Sequence, residues 1–428
     1  GYVDGLWKTV SGQSESIANV RASDWGSNTR NLLTAAQLGS ALISAISDRA
    51  FSKMTRDFNG VTERMGVTRY IADASKNDEF AAQLGLGLDL YSAVVSNRFS
   101  EVTGTNGIRK FTDGIMRASG LPQFTDVGRK VFGMEFNASL AKVSNKSLAD
   151  LKNDGLGMAM ERYGITSDEW DLIRSAPQEE FKGHKFITLD GIRSLDLPNT
   201  NKNELVTKFL NMILTETDFA VPSPDARTRV IQSMGGQRAG TAAGEVARLL
   251  MQYKSFPLTV MMQNWQRIMH QKGATNPYSY AAQMFIYTTA LGYMALQLKE
   301  ISKGKEPKEL DSKLIMASFM QGGGAGILGD FLFADHNRFG NSVLATIAGP
   351  TGGFIEDVTK LTVGNIQKYV HEGESDFMRD AVKLGGRYAP GSSIWYGRLA
   401  FERYVVDQME YLADSRKAKD SWRRMERK

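Results

Sequence analysis

The sequence contains no cysteine and only four histidines in 428 residues. Without cysteine the chain has no disulfide and no thiolate chemistry. The histidines, His184, His270, His336 and His371, are scattered without the spacing of a zinc site. We therefore expect no zinc and no other metal, and a surface or hydrogen-bonded structural role for each histidine. A chain of this length can bury a sizeable hydrophobic core without disulfides or bound metal ions.

Positive charge is concentrated at the end of the chain. From Ser415 to Lys428, seven basic side chains stand against two acidic ones, which accounts for the whole formal net charge of +5 and leaves the rest of the chain neutral. Such a tail neutralises the phosphates of DNA or anionic lipid, and a solvated helix end is the alternative. The predicted phosphate contacts are Arg416, Lys417, Lys419, Arg423, Arg424, Arg427 and Lys428.

Apolar residues recur at helical spacing through most of the chain. The pattern predicts helices at 31–58, 78–99, 108–118, 125–141, 146–163 and 167–175, and an amphipathic helix from 393 into the basic tail. The expected fold class is all-α, with multi-helix bundles joined by Gly-rich turns. Residues 181–191 alternate apolar and polar side chains and end at Asp190-Gly191, a turn signal, so they predict at most one short β-hairpin.

Changes of composition along the chain predict three domains. Residues 1–165 are expected to form a helical domain, and 166–235 a small connecting segment with the hairpin. Pro222, Pro224 and the pair Gly235-Gly236 mark the boundary to a Gly-rich helical domain at 236–428, which ends in the basic tail 415–428. The chain begins at Gly1 without a methionine or a signal segment, so we expect a fragment, a processed product or the ordered part of a longer protein.

An uncharged run extends from Gly273 to Leu298. Its centre, 278–298, approaches the roughly 20 residues needed to cross a bilayer. Glutamine and threonine dilute its apolar character, so a buried helix or an oligomer contact is favoured over a segment that enters a membrane. The predicted contact side chains are Tyr278, Phe285, Tyr287, Leu291 and Tyr293.

A Gly-rich segment at 322–329 contains one G-x-G-x-x-G. A helical pattern precedes it where a dinucleotide site needs a strand, so we reject a nucleotide cofactor. The sequence also has no G-x-x-x-x-G-K-[ST], no G-x-S-x-G and no H-E-x-x-H, and we predict no catalytic centre. The glycines are expected instead to allow close contacts with other subunits or a membrane, through Gly322, Gly323, Gly324, Gly326 and Gly329.

Basic and aromatic residues interleave between Arg248 and His270, as they do on nucleic-acid stacking surfaces. Strongly apolar neighbours favour a partly buried helix, kinked at Pro257, whose basic side chains, Arg267 among them, reach back to solvent. The many acidic residues on helices are expected to be solvated or in surface pairs.

Four ordered motifs in the second half carry a family resemblance. They are LLMQYKSFPL at 249–258, QGGGAGILGDFL at 321–332, NRFG at 337–340 and LATIAGP at 344–350. This part of the chain resembles the carboxy-terminal large-polyvalent-protein-associated region of very long phage and prophage proteins. The helical stretch that precedes that region is similar to GLPQFTD at 120–126, FGME at 132–135 and GITSDEW at 164–170.

The resemblance implies a virion protein of a short-tailed phage whose other parts carry enzymatic modules, while this part serves assembly. Similar proteins lie inside the capsid on the portal, leave with the DNA and help build a conduit across the host envelope. The implied partners are further copies of the chain, other internal virion proteins and the portal, with DNA and the host membrane next and no small-molecule substrate. No catalytic residue of the family maps onto this chain.

Two other functions stay open at this point. One is a murein-degrading enzyme in the first half of the chain, with Glu135 or Glu161 as the acid. The other is a DNA-contacting packaging protein that uses the basic tail.

Overall fold

The computed structural model describes residues 2–13, 16–37, 49–86, 107–223, 226–251, 255–302, 306–321, 354, 357–372, 377–389 and 394. Helices dominate these residues, so the predicted all-α class is confirmed. The Gly-rich segment 322–329 and the basic tail 415–428 lie outside the described residues, as does the terminal amphipathic helix predicted from 393 except for residue 394.

The first part of the chain contains ten helices and one hairpin among its described residues. In chain order they are α1 Tyr2–Val10, α2 Val20–Gln37, α3 Arg49–Asn59, α4 Val67–Ala72, α5 Ala74–Gln83, α6 Gly107–Ser119, α7 Leu121–Lys142, α8 Gly155–Arg162, α9 Ser167–Ser175, β1 Gln178–Phe181, β2 His184–Ile187 and α10 Leu189–Arg193.

All regular secondary structure among the described residues of the second part is helical. Its α-helices are α11 Asn199–Ala220, α12 Ala226–Gln232, α13 Ala242–Leu250, α14 Ser255–His270, α15 Pro277–Ser302, α16 Ser312–Gln321, α17 Asn365–Glu372 and α18 Phe377–Tyr388. A π-helical turn, Lys360–Gly364, leads directly into α17.

Local capping explains where several helices begin. At α9 the Thr166 side chain accepts from the Glu169 backbone while the Glu169 carboxylate accepts from the Thr166 backbone, a complete capping box. At α8 the Asp154 carboxylate accepts from the Leu156 backbone at 2.9 Å. The helix predicted over 146–163 was therefore too long, because the chain turns through 146–154 and becomes helical only after this cap.

Two other predicted helix features differ in the structure. The helix expected over 78–99 begins at Ala74 and ends at Gln83, because Gly85 takes a left-handed conformation with φ +80°, and residues 87–99 lie outside the described part of the chain. The kink expected at Pro257 is absent, since this proline lies in the first turn of α14, where its missing N–H costs no helical hydrogen bond.

The predicted hairpin is present, but its turn lies earlier than expected. Strands β1 and β2 pair antiparallel, with Gln178 opposite Ile187 and Phe181 opposite His184. The turn is Lys182-Gly183, where both residues have positive φ. The turn predicted at Asp190-Gly191 was wrong: both residues belong to α10, and the Thr188 side chain caps that helix by accepting from the Gly191 backbone.

Helix α7 is the centre of the main core, which contains buried apolar residues from Val61 to Ala220. The side chain of Asn137 holds the hairpin against α7, exchanging two 2.9 Å hydrogen bonds with the backbone of Ile187. Residues on both sides of position 165 pack in this one core. The domain boundary predicted at 165/166 stays a prediction, and residues before and after it belong to the same hydrophobic core.

Two smaller apolar clusters lie outside the main core. In one, Phe51, Met54 and Phe58 of α3 pack with Val260 of α14 and Tyr280 of α15. In the other, Leu33 of α2 packs with Tyr388, and Phe354 and Leu384 lie against them. The first cluster attaches α14 and α15 to the rest of the molecule.

The close approach of α3 and α8 gives a test of the packing. A Cβ added at Gly155 would lie 2.5 Å from the Asn59 carbonyl carbon, and backbone there has no room to move. We expect Gly155→Ala to lower the free energy of unfolding by about 1–3 kcal/mol. The matched change Gly114→Ala in α6 meets nothing within 4 Å and should raise it by about 0.5–1 kcal/mol. Urea unfolding measures both, and equal effects would contradict the packing.

Candidate functional site

Helix α15 carries apolar residues on every side, although the other described residues cover only part of it. Its buried side faces α3 and α14. The Tyr280 ring meets Phe58 edge-on at a centroid distance of 5.6 Å, and its hydroxyl donates to Asn264 Oδ1 at 2.8 Å. A helix that is apolar all round is normally covered all round. The uncovered side of α15 is therefore the candidate functional surface.

Six residues four apart form the uncovered side, and all six are exposed. We call this row the α15 ridge: Tyr278, Ala282, Ile286, Ala290, Met294 and Leu298. The exposed fractions reach 89% for Tyr278, 59% for Ile286 and 50% for Met294. No charged residue interrupts the ridge, and large and small side chains alternate along its first five positions. Rows of this spacing are the ridges by which helices pack into one another.

Helix α16 extends the apolar surface beside the ridge. The Phe285 ring lies 4.9 Å from the ring of Phe319, which joins the two helices. Two further apolar side chains of α16, Ile315 and Met316, are exposed. At the other end of the hairpin formed by α15 and α16, Gln297 exchanges hydrogen bonds of 2.7 and 2.8 Å with the backbone of Lys308.

The structure divides the predicted contact residues of α15 into two groups. Tyr278 and Phe285 are exposed, whereas Tyr287, Leu291 and Tyr293 are half-buried. Tyr287 packs toward α3, and Lys53 Nζ lies 5.5 Å from the centre of its ring. Ala282, Ile286, Ala290, Met294 and Leu298 of the ridge were missed, although their four-residue spacing is visible in the sequence. The predicted contacts Gly322, Gly323, Gly324, Gly326 and Gly329, like the basic residues of the tail, lie outside the described residues.

A buried ionic cluster holds α14, and through it α15, to the main core. We call it the Glu216 cluster: Glu216 of α11, Arg162 and Tyr163 at the end of α8, Arg267 of α14 and Asn59 at the end of α3. The side chains of Glu216 and Arg267 are fully buried, with no exposed fraction. Four side chains from three distant parts of the sequence thus meet at the Glu216 carboxylate.

Both oxygens of the carboxylate are occupied. Oε1 accepts from Arg162 Nη1 at 2.6 Å and from the Tyr163 hydroxyl at 2.9 Å. Oε2 accepts from Asn59 Nδ2 at 2.6 Å and from Arg267 Nη2. Arg162 Nη2 also donates a hydrogen bond to the Lys272 carbonyl at 3.2 Å, which connects the segment between α14 and α15 to the same cluster.

Aromatic rings cover the two guanidinium groups of the cluster. The Arg267 guanidinium carbon lies 3.8 Å from the centre of the Phe219 ring and 4.5 Å from that of Phe58. Arg162 approaches the same Phe58 ring at 4.9 Å. Stacking of guanidinium on aromatic faces stabilises a cation that cannot reach water.

The two arginines control the ionisation of Glu216. Burial acts to raise the pKa of this carboxyl, but the positive charges of Arg267 and Arg162 outweigh burial and hold its pKa below the usual value of 4.5. Burial and the adjacent carboxylate raise the pKa of Tyr163, so its hydroxyl stays protonated and donates. The cluster therefore contains one negative and two positive charges.

Two expectations about charged residues were wrong here. Arg267 does not reach back to solvent, because it is 1% exposed and lies between two aromatic rings. Nor are the helix acids all solvated, since Glu216 is buried. The sequence did contain a signal: Glu216 stands four residues after Met212 and three after Ile213, within the apolar row of α11.

The acids considered for a murein-degrading enzyme occupy different environments. Glu135 is 1% exposed, and its carboxylate accepts from Arg56 Nε at 2.6 Å and from the Met65 backbone at 2.8 Å. Glu161 is exposed at the surface of α8. Of the described histidines, His184 bonds through Nδ1 to Glu63 at 2.7 Å, and His270 is exposed.

The described residues contain neither a cluster of metal ligands nor a helix suited to cross a membrane. Nowhere in the described part of the chain do three or more His, Asp or Glu residues stand close enough to hold a metal ion. No described helix combines the length and the apolar character that a membrane crossing requires.

Comparisons with known proteins do not assign the chain to a family. No protein-family model, no curated protein and no solved structure matches it. The function is therefore inferred from the chain's own residues, above all from the α15 ridge.

The Glu216 cluster predicts a large effect of one substitution. Glu216→Gln leaves two buried guanidiniums without a counter-charge, so we expect the free energy of unfolding at neutral pH to fall by about 3–5 kcal/mol. Asp171→Asn is the control, because its i,i+3 pair with Arg174 is half-exposed and should contribute little. Urea unfolding followed by circular dichroism measures both. Similar small effects of the two changes would show that the cluster does not hold the helices together.

The lowered pKa of Glu216 also predicts a dependence on pH. Its stabilising effect is complete above the unfolded-state value of 4.5 and is lost as pH falls through the lower folded-state value. The difference in unfolding free energy between the native chain and Glu216→Gln should thus be constant above pH 4.5 and shrink below it. Unfolding curves at a series of pH values provide the measurement, and a difference that grows in acid would contradict the assignment.

Proposed function

We propose that the chain is a structural, non-enzymatic protein that assembles with further copies of itself through the α15 ridge, as an internal virion protein of a bacteriophage. In this proposal it is packaged in the capsid near the portal, with other internal proteins as neighbours. It leaves with the DNA and helps form a conduit across the host envelope.

The observation that carries the proposal is an exposed apolar surface on a regular helix. A half-exposed large apolar side chain presents roughly 100 Å². Eight such side chains on α15 and α16 therefore present on the order of 800 Å², which is what one partner buries in an interface of standard size. They are Tyr278, Phe285, Ile286, Met294, Leu298, Ile301, Ile315 and Met316. Patches of this size on soluble proteins mark contact surfaces.

The order of side chains in the ridge favours a second copy of the chain as the partner. When two α15 helices run antiparallel about a two-fold axis between positions 286 and 290, Ile286 faces Ala290 of the second copy. Ala282 then faces Met294 of that copy. Large residues thus meet small ones at these four central positions of the ridge, as close packing of two helices requires, while Tyr278 faces Leu298 at the two ends. A two-fold contact also uses the same surface on both subunits, so no second patch is needed.

The phage assignment is supported by the resemblance of the sequence motifs. Two of these motifs, at 249–258 and 321–332, overlap the ends of α13, α14 and α16, which flank α15 in the sequence. A conduit protein has to assemble with copies of itself, and an uncharged helical ridge provides such a contact. The absence of cysteine suits a chain that passes through a portal, because no covalent cross-link then restricts unfolding and refolding.

One substitution tests the assembly contact. The native chain is expected to have a molar mass in solution that is a multiple of 47.3 kDa. Ile286→Glu places a charge in the middle of the ridge and should reduce the mass to that of the monomer, because a buried unpaired carboxylate disfavours the interface strongly. The control Asn203→Glu adds the same charge at an exposed position of α11. Light scattering after size exclusion measures all three chains.

Cross-linking tests the antiparallel geometry directly. Because the chain has no cysteine, chains with Ile286→Cys and chains with Ala290→Cys can be mixed and oxidised. We expect disulfide-linked dimers between the two kinds of chain, since facing positions lie within disulfide distance across packed helices. A native chain that is monomeric and leaves anionic vesicles unbound would contradict the proposal. Oligomers that survive Ile286→Glu would place the contact elsewhere.

A further inference from the structure

A small depression lies between α4, α5 and the tip of the hairpin, far along the chain from the α15 ridge. Its volume is about 70 Å³. Four of the residues that line it are basic, namely Arg64, Arg69, Lys182 and His184. The other three are Met65, Tyr70 and Asn77, so no carboxylate lines it. The lining thus has the chemistry of an anion site.

Each of three basic side chains is held in place by a contact behind the depression. Arg64 Nη1 donates to the Val61 carbonyl at 2.6 Å and to the Glu63 carbonyl at 2.9 Å. His184 Nδ1 bonds to the Glu63 carboxylate at 2.7 Å, and Lys182 Nζ lies 3.0 Å from Asp73. These contacts leave the other nitrogens of Arg64 and Nε2 of His184 for a ligand. Such positioning lowers the entropy lost when an anion binds.

The charges around the depression do not cancel. Asp73 offsets Lys182, and Glu63 accepts from both His184 and Lys142. No ion pair joins Arg64 or Arg69 to an acid within the described ranges, and both arginines are exposed. Two guanidinium groups five residues apart therefore border one depression without a counter-charge. Guanidinium groups bind oxyanions through paired N–H donors.

We propose that this depression binds a single tetrahedral oxyanion, with inorganic phosphate as the simplest ligand. Arg64 and Arg69 supply the charge, while Lys182 and His184 supply further donors. Size decides the class of ligand, because pockets for nucleotides and other drug-sized molecules measure roughly 300–1,000 Å³. A nucleic-acid backbone or a membrane surface needs a row of uncompensated bases, whereas Asp73 and Glu63 interrupt the positive charge here.

Calorimetric titration of the full chain with inorganic phosphate tests the site. With ionic strength held constant by chloride, we expect saturable binding with a dissociation constant on the order of 1 mM. Arg69→Gln should weaken it by at least about tenfold, since it removes a charge-assisted contact. Arg64→Gln should act in the same direction. The control Arg117→Gln removes an exposed arginine from the last turn of α6 and should leave the affinity unchanged.

Three outcomes would overturn the site. One is that no saturable heat is seen at phosphate concentrations up to roughly 10 mM, ten times the expected dissociation constant. Another is equal weakening by Arg69→Gln and Arg117→Gln, which would indicate attraction by general charge. The third is binding of duplex DNA or anionic vesicles that depends on Arg69 without any response to phosphate. The Ile286→Glu chain should keep its phosphate affinity, so this site and the assembly surface succeed or fail separately.

Discussion

The structure depends on one buried carboxylate. Glu216 accepts hydrogen bonds from side chains on or just after α3, α8 and α14, and its own helix α11 belongs to the main core. Because a buried carboxylate without partners is strongly unfavourable, these helices have to end or pass where the donors reach it. The position of α14 then determines that of α15, through Tyr280 and its hydrogen bond to Asn264.

The cluster also shows how an unequal set of charges is accommodated. Two guanidiniums share one carboxylate, and Nε and Nη1 of Arg267 have no hydrogen-bond partner among the described residues. The rings of Phe58 and Phe219 face this guanidinium and supply the remaining attraction. Such an arrangement has little tolerance for the loss of any member, since each removal leaves a buried charge or donor unsatisfied. Three charged side chains, Glu216, Arg162 and Arg267, thus join distant segments in the interior of this molecule.

On the surface, by contrast, the α15 ridge is uncharged and presents apolar side chains to solvent. A monomer gains nothing from this exposure, since covering apolar surface is the main favourable contribution to folding and association. The same chain also has a small basic depression, which Arg64 and Arg69 border. The proposed assembly through the ridge and the proposed oxyanion site rest on different residues and different forces, one on apolar area and one on uncompensated charge.

The sequence alone determined the all-α class, several helices such as α6, α7 and α9, and the presence of a hairpin near 181–191, because periodicity, capping and turn preferences act over a few residues. Tertiary structure decided the rest. Glu216 and Arg267 read as ordinary helix charges until Asn59 and Arg162 are brought to them from far along the chain. The apolar residues of α15 likewise look equivalent in sequence. Only packing against α3 and α14 decides that Tyr280 is buried and Ile286 exposed, because burial depends on neighbours that a local pattern does not contain.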